Sequence, residues 1–259
     1  MSAVIYSQLL PKNDPRYIKW KESLSKRPVV WNKDKTKYND ARVKKISDTF
    51  KRKNLDNFAL WRLNARKTGK IPDVTKPFEQ SKELAFLIGL VLGDGYVTNM
   101  AHTDVLKITL GTDKPRLWQY AEKIVTEIFN KKPHVYKRKN ALCMDIRIYQ
   151  KNICERLKIP PGAKKNYILQ LPLWIWENEE FLTLCIKGLF ESEGSLSIHL
   201  KTCTYNFSFS NVNVGLLNEV EKALLKFGFH PERRLNAVRL RKKNEVFAFK
   251  QLINFRQYP

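Results

Sequence analysis

Two stretches of this chain share one pattern. Leu84 to Asn99 reads LAFLIGLVLGDGYVTN, and Cys185 to Ile198 reads CIKGLFESEGSLSI. The first opens with an unbroken apolar run, Leu84 to Leu92, which is too short to cross a bilayer and suits a helix buried on all sides. Gly89 and Gly93 are four apart, so they share a helix face on which another backbone can come close. Asp94 stands between Gly93 and Gly95, where the helix should end. A carboxylate is disfavoured at a helix C-terminus because the macrodipole is negative there, so a positive partner is expected, most simply a metal ion.

The second stretch answers the first at a fixed interval. Gly188 stands 99 positions after Gly89, Ser192 after Gly93, and Glu193 after Asp94. The same interval carries Ile108 and Leu110 onto Phe207 and Phe209, and Glu122 and Lys123 onto Glu221 and Lys222. An interval held over some thirty residues is strong evidence of internal duplication.

These motifs resemble the two signature helices of single-chain LAGLIDADG homing endonucleases, and the resemblance covers roughly residues 79 to 259. It implies two similar α/β halves whose signature helices pack side by side, with Gly89, Gly93, Gly188 and Ser192 at the contact. It implies that Asp94 and Glu193, the last acids of the motifs, bind divalent metal, with the carbonyls of Gly93 and Ser192 as further ligands. Gly93 replaces the alanine of many members, and Ser192 and Lys187 make the second motif more polar; neither change removes a metal ligand. The implied activity is site-specific hydrolysis of both DNA strands with Mg²⁺ or another divalent cation such as Mn²⁺, leaving 3′ overhangs; Ca²⁺ is expected to bind without supporting cleavage. The implied partner is double-stranded DNA with a long, roughly pseudo-palindromic target, bound by a monomer, and intron RNA is a further candidate. The competing class is a nucleic-acid-binding protein that does not cut, either an intron RNA maturase or a DNA-binding regulator on the same fold. Retention of both acids speaks against it.

The totals agree with a polyanionic partner. The chain of 259 residues carries a net charge of +23, with a pI near 9.9, which favours nucleic acid first and a membrane surface second. No segment has the length of a membrane span and the N-terminus lacks a signal-peptide pattern, so an intracellular location is expected. Cys143, Cys154, Cys185 and Cys203 form no C-x-x-C pair and read as reduced core thiols. His102, His134, His199 and His230 have no helical metal-ligand spacing, and glycine-rich phosphate loops are absent.

Four regions are expected: a basic extension over 1–76, a first half over 77–157, a linker over 158–177 and a second half over 178–259. The extension holds 20 Lys and Arg against 7 Asp and Glu. Pro11, Pro15 and Pro28 predict an irregular opening. Asp40 is placed to cap a helix with Val43, Ile46 and Phe50 inward; Asn54 is placed to cap another, Leu55 to about Lys67, burying Phe58, Leu63 and one face of Trp61, closed by Gly69 and Pro72. Such tandem basic helices loosely resemble the modular DNA-binding domains associated with nucleases; a basic arm that orders on DNA is the alternative. Both predict DNA contact, through Lys33, Lys35, Lys44 and Lys45.

Each half reads as helix, two strands, helix, two strands, helix. The fold class is therefore α+β: two pseudo-symmetric αββαββα halves forming a saddle of antiparallel sheets, with a small, mainly helical, basic extension. First-half strands are expected at Tyr96–Asn99, Val105–Leu110, Val135–Lys139 and Leu142–Tyr149, with helices from Asp113-Lys114-Pro115 to about Phe129 and over 151–157. Second-half strands are expected at Ser195–Leu200, Tyr205–Ser210, Pro231–Asn236 and Val238–Lys250, followed by a last helix cut short at Pro259. In the linker, Leu173, Trp174 and Trp176 are expected to pin the chain to the core.

An antiparallel sheet with helices on one face leaves the other free, and paired strands fit a duplex groove. Lys107, Lys137, Lys139, Arg147, Lys201, Arg233, Arg239 and Arg241 are assigned to the free face as phosphate or guanine contacts, and Asn99, Tyr149, Asn206 and Ser208 as base-reading groups. For the chemistry, metal ions about 3.5–4 Å apart supply an activated water and a stabilised leaving oxygen. Glu191 lies two residues before Glu193 and should point away from it. Lys151 and Lys250 keep the 99-residue interval. Each is expected after the last strand of its half, either as a transition-state or water-network group or as a plain phosphate clamp.

Overall fold

The computed structural model of the chain describes residues 11, 13–26, 29–56, 58–71, 73, 74, 76–139 and 141–258. It divides into two compact units, Met1–Lys67 and Thr68–Pro259. Residues 1–10, Pro28, Pro72 and Pro259, on which some of the expectations above fall, lie outside the described residues.

The first unit is helical. Helix α1 (Pro15–Ser25) occupies the stretch expected to be irregular. Pro15 begins it rather than breaking it, because the first helical position has no N–H bond to lose, and the Asp14 side chain caps the free N–H of Arg16. Helix α2 (Ala41–Arg52) is capped as expected, Asp40 Oδ1 accepting from the N–H groups of Arg42 and Val43 at 2.9 and 3.2 Å. Helix α3 (Ala59–Lys67) begins later than expected. Asn54 is left-handed (φ 47°) and closes α2, while Asp56 takes the N–H of Phe58. Phe58, Trp61 and Leu63 are exposed rather than buried; short helices with no sheet offer little area to cover them.

The second unit holds the duplicated halves. The first runs α4 (Lys82–Asp94), β1 (Gly95–Asn99), β2 (Asp104–Gly111), α5 (Pro115–Phe129), β3 (His134–Lys137), β4 (Cys143–Gln150) and α6 (Ile153–Leu157). The connecting segment carries a 3-10 turn, Lys164–Asn166, and helix α7 (Leu173–Glu177). The second half runs α8 (Glu179–Glu193), β5 (Gly194–His199), β6 (Thr204–Ser210), α9 (Val214–Lys226), β7 (Glu232–Arg234), β8 (Ala237–Leu240) and α10 (Lys243–Leu252). Each half makes a four-stranded antiparallel sheet, ordered β1-β2-β4-β3 and β5-β6-β8-β7. This is the expected α+β architecture. No helix among the described residues is long and apolar enough to cross a membrane.

Packing of α4 against α8 explains the glycines. A Cβ on Gly89 would lie 2.0 Å from the Cys185 carbonyl oxygen, and one on Gly188 2.3 Å from that of Phe86. The backbones therefore touch, and only hydrogen fits between them. At the end of the pair Gly93 faces Ser192, where a Cβ would fall 1.8 Å from its Oγ. Around this contact Leu84 to Leu92 are buried throughout, as are Leu182, Cys185, Ile186, Leu189 and Phe190. Each large apolar side chain so covered contributes about 1.5–3 kcal/mol.

Helix α4 ends at Asp94, as expected; Gly95 is extended (φ −88°), and the helix passes directly into β1, as α8 passes into β5 at Gly194. A Cβ at Gly95 would meet Val91 Cα at 2.5 Å, because the strand folds tightly over the last helical turn. Three sequence expectations need correction here. The first is that no strand runs from Val238 to Lys250. The strand ends at Leu240, and α10 follows with Val246 and Phe249 buried three residues apart on one face. Phe249 packs on Phe190, Phe207 and Phe229, at centroid distances of 4.8, 5.2 and 5.5 Å. Second, the interval of 99 is interrupted. Gly95 pairs with Ile108, but Gly194 pairs with Phe209 rather than Phe207, so the second hairpin is two residues longer. The interval returns at Pro115 and Val214, the first residues of α5 and α9. Finally, Leu173 is 79% exposed, whereas Leu169, Leu171 and Ile175 are buried. Only Trp174 and Trp176 of the expected trio pack on the core, and Trp176 Nε1 donates to Glu219 at 3.0 Å.

Candidate functional site

Asp94 is the last residue of α4 and Glu193 the last of α8, so the close helix contact brings them to one end of the pair. Both are partly buried. Burial lifts the Asp94 carboxyl above its ordinary value, opposed by Lys114 and Lys164. Burial and the neighbouring Asp94 lift Glu193, again opposed by Lys164 and Lys114. Glu193 thus feels the charge of Asp94, and the two acids share two cations.

Those cations are absent from the sequence-derived set. Lys164 Nζ donates to the Leu92 carbonyl at 2.7 Å and to the Gly93 carbonyl. Burial pushes its pKa down to about 8, against the pull of Asp94 and Glu193. Lys114 Nζ donates to the Glu191 carbonyl at 3.2 Å. One signal was present for Lys114: it sits at the N-cap of α5 without capping it, where Ser, Thr, Asp or Asn is preferred. Lys164 lies in a proline-containing connector that gave no such signal.

A hard divalent cation suits two carboxylates when it keeps several waters. Asp94 and Glu193 fit that role. Among the described residues no group of three or more His, Cys, Asp or Glu side chains converges. The Gly93 carbonyl is engaged by Lys164, and Ser192 Oγ is turned back onto the carbonyls of Gly188 and Leu189. Glu191 points away from Glu193. It is buried, accepts from Arg256 N and Tyr258 Oη, and sits near Lys187, whose Nζ donates to the Gln257 carbonyl.

Strand pairing assigns the faces of the sheets. Lys107 and Arg147 are paired on β2 and β4, and Tyr149 shares their face. In the second sheet Asn206, Ser208 and Arg239 lie on the corresponding face, with Ser195 and Ser197 paired to Ser208 and Asn206. Arg241 follows β8, Lys139 lies in the turn after β3, and Lys201 in a short 3-10 turn; all three are exposed. Three residues leave the assigned face. Asn99 alternates onto the side of buried Val97 and donates to Asp104 at 3.2 Å. Lys137 pairs with Met144, on the helix-covered side. Arg233 pairs with buried Val238 and approaches Glu221 of α9 at 3.8 Å. In each case the strand is offset by one residue from its expected phase, which reverses every side chain.

Lys151 directly follows β4, but Lys250 lies near the end of α10, ten residues past β8. The pairing makes Arg239 the counterpart of Arg147, so the residue matching Lys151 is Lys243. In the first unit Lys35 pairs with Asp40 at 3.3 Å and lies over Trp31, Lys44 and Lys45 project from α2, and Lys33 is exposed in the preceding turn.

One carboxylate organises the open face of the first sheet. Asp145 is fully buried and accepts from Thr109 Oγ1 at 2.7 Å, Tyr136 Oη and Arg138 Nε at 3.0 Å, and Arg147 Nη2 at 3.1 Å. Burial acts to raise its pKa, but those four donors prevail and hold it at about 2. A depressed carboxyl stabilises the fold above its unfolded pKa near 3.8 and loses that contribution as pH falls towards 2. Asp145→Asn is therefore expected to remove on the order of 2 kcal/mol of stability at neutral pH and to lessen the acid loss between pH 4 and 2. Denaturant unfolding of both proteins across that range checks it. In the second sheet Glu232 instead grips Arg239, at 2.9 and 3.2 Å.

With this geometry established, the sequence can be set beside known families: residues 180–256 match the family model of a LAGLIDADG-like domain. Among solved structures, mesophilic variants of the homing endonuclease I-DmoI are 19% identical to the chain, with a TM-score of 0.45, covering 66% of this chain and 94% of theirs. I-DmoI in complex with DNA and Mn is 19% identical with a TM-score of 0.46, over 66% of this chain and 96% of that one. Full-length DUF199/WhiA from Thermatoga maritima is 14% identical with a TM-score of 0.48, over 70% of this chain and 58% of that one. No curated protein matches the chain.

Proposed function

We propose that this chain is a monomeric, site-specific, Mg²⁺-dependent endonuclease that cuts both strands of a DNA target. The observation that carries the reading is the placement of Asp94 and Glu193 together at the end of two helices in backbone contact, flanked by Lys114 and Lys164. Asp94 and Glu193 would hold the metal, which when bound supplies an activated water and charge stabilisation at the leaving oxygen. The chain's own groups do the rest. Lys107, Arg138, Arg147, Arg239 and Arg241 engage phosphates and guanine edges, while Tyr149, Asn206 and Ser208 offer hydrogen bonds to bases. Helix contact fixes the acids relative to both sheets, and the two lysines offset phosphate charge as the duplex approaches. Residues 1–76 serve as a DNA-binding extension through Lys33, Lys35, Lys44 and Lys45.

A second reading, binding without cutting, draws on the bond from Lys164 to the Gly93 carbonyl, the position the resemblance gives to a metal ligand. One experiment separates the two. Selection of cleavable sites from a randomised duplex library with Mg²⁺ should yield double-strand breaks with short 3′ overhangs; recovery of bound but intact duplexes, whatever the divalent cation, favours the second.

A further inference from the structure

The connector and the C-terminal tail play matching parts in the two halves. Each follows the last helix of its half, and each reaches a signature helix. Lys164 donates to the Leu92 carbonyl of α4 at 2.7 Å, and Arg256 N and Tyr258 Oη donate to Glu191 of α8. From Lys164 the connector goes on along α9 of the other half. Asn213 Nδ2 donates to the carbonyls of Lys164 and Tyr167 at 2.9 and 2.7 Å, and Glu219 accepts from Leu171 N at 3.0 Å. Tyr167 is extended (φ −130°, ψ 148°), and a Cβ on Gly215 would lie 2.3 Å from the Leu169 carbonyl oxygen. The connector therefore rests directly on the helix.

The matching face of α5 is open. The interval of 99 carries Gly215, Glu219 and Lys222 back to Arg116, Tyr120 and Lys123. Tyr258, the last described residue, reaches Tyr120 with ring centroids 5.7 Å apart. Beside it a groove of about 400 Å³ is lined by Arg116, Gln119, Tyr120, Lys123 and Tyr258. At Arg116 and Tyr258 it meets a second hollow, of about 240 Å³, which adds Lys114, Arg256 and one acid, Asp113. Four cations thus face a single lining carboxylate; Glu83 and Glu127 act on Tyr120 but do not line the groove. On α9 Glu219 balances Lys222 at 3.5 Å, whereas tyrosine at position 120 gives Lys123 no such partner.

We propose that this groove binds an extended acidic peptide of a partner protein, laid along α5 as the connector is laid along α9. The occupant of the matching face is polypeptide, which favours a peptide over a nucleic-acid strand. Arg116 in place of Gly215 keeps the peptide backbone off the helix, so charge rather than close backbone contact supplies the hold. Carboxylates pair with the Arg116 and Arg256 guanidiniums, which can take them two N–H groups at a time, and with the Lys123 ammonium. Binding here is independent of cleavage, so either reading can fail without the other.

The test pans a phage-displayed library of random peptides of about twelve residues against the full-length protein. Recovered peptides are expected to be rich in Asp and Glu. Anisotropy titration of a labelled one should show binding weakened about tenfold or more by Arg116→Glu and by Lys123→Glu. Lys222→Glu, the same position on α9, should bind it as the wild type does. Melting temperature, read in parallel, confirms that the variants are folded. Failure to recover acidic peptides overturns the proposal, as does equal binding by the wild type and both α5 variants, or an equal loss in Lys222→Glu. If the two α5 variants abolish binding of a labelled single-stranded oligonucleotide and leave peptide binding unchanged, the groove belongs to nucleic acid and the proposal falls.

Discussion

Asp94→Asn and Glu193→Gln are each expected to bind the target duplex as the wild type does and to cut it at less than about one-thousandth of the wild-type rate. Each substitution is nearly isosteric and removes a negative charge, so it weakens the hold on a divalent cation without disturbing the helix contact. Binding should survive or tighten, since the acids lie at the helix ends rather than on the sheet faces, and a lost carboxylate reduces repulsion from phosphate. Gel-shift titration in Ca²⁺ beside cleavage in Mg²⁺ checks both halves of the expectation. Cleavage by both variants at the wild-type rate would remove the acids from the mechanism.

The second large effect falls on the helix pair. Gly89→Ala would place a methyl 2.0 Å from the Cys185 carbonyl oxygen, and Gly188→Ala one 2.3 Å from that of Phe86. Neither neighbour is a side chain that can swing aside. The helices must separate, and the apolar layers on both sides of the contact lose packing together. The cost is expected to be about 3–5 kcal/mol, a large part of a typical domain's stability, with the melting temperature falling by about 10 °C. Gly228→Ala is the control: its φ is +83° but nothing lies within 4 Å of the added carbon, so it should cost only about 1–2 kcal/mol. Equal losses at positions 89 and 228 would mean that backbone strain, not helix contact, decides the effect.

Much of this organisation could be read from the residues because the same signals occur twice. The glycine faces of α4 and α8, the strand alternation around Ile108 and Ile146 and the acids closing both helices are local patterns with a fixed period. Misreadings arose where a pattern fits two structures. Val238 to Leu240 alternates as a strand does, but Arg241 to Glu245 is an unbroken polar run, and the three-residue spacing of Val246 and Phe249 beyond it belongs to a helix. Pro15 breaks a helix interior and starts one equally well. Lys137, Arg233 and Asn99 depend on strand phase, which shifts with a single residue at a turn. The two lysines were missed for another reason: a contact from Lys164 to Leu92 spans 72 positions and leaves no periodic trace.

The direct passage of α4 into β1 at Gly95, and of α8 into β5 at Gly194, has a mechanical meaning. No joint lies between the ribbon that would feel the bases and the carboxylate that would act on the backbone. A poor fit along the groove therefore cannot be absorbed in slack chain; it arrives at the acid as a displacement. Recognition and reaction would then be enforced by one stiff lever in each half, so that tolerance for mismatched targets is set by how far that lever bends.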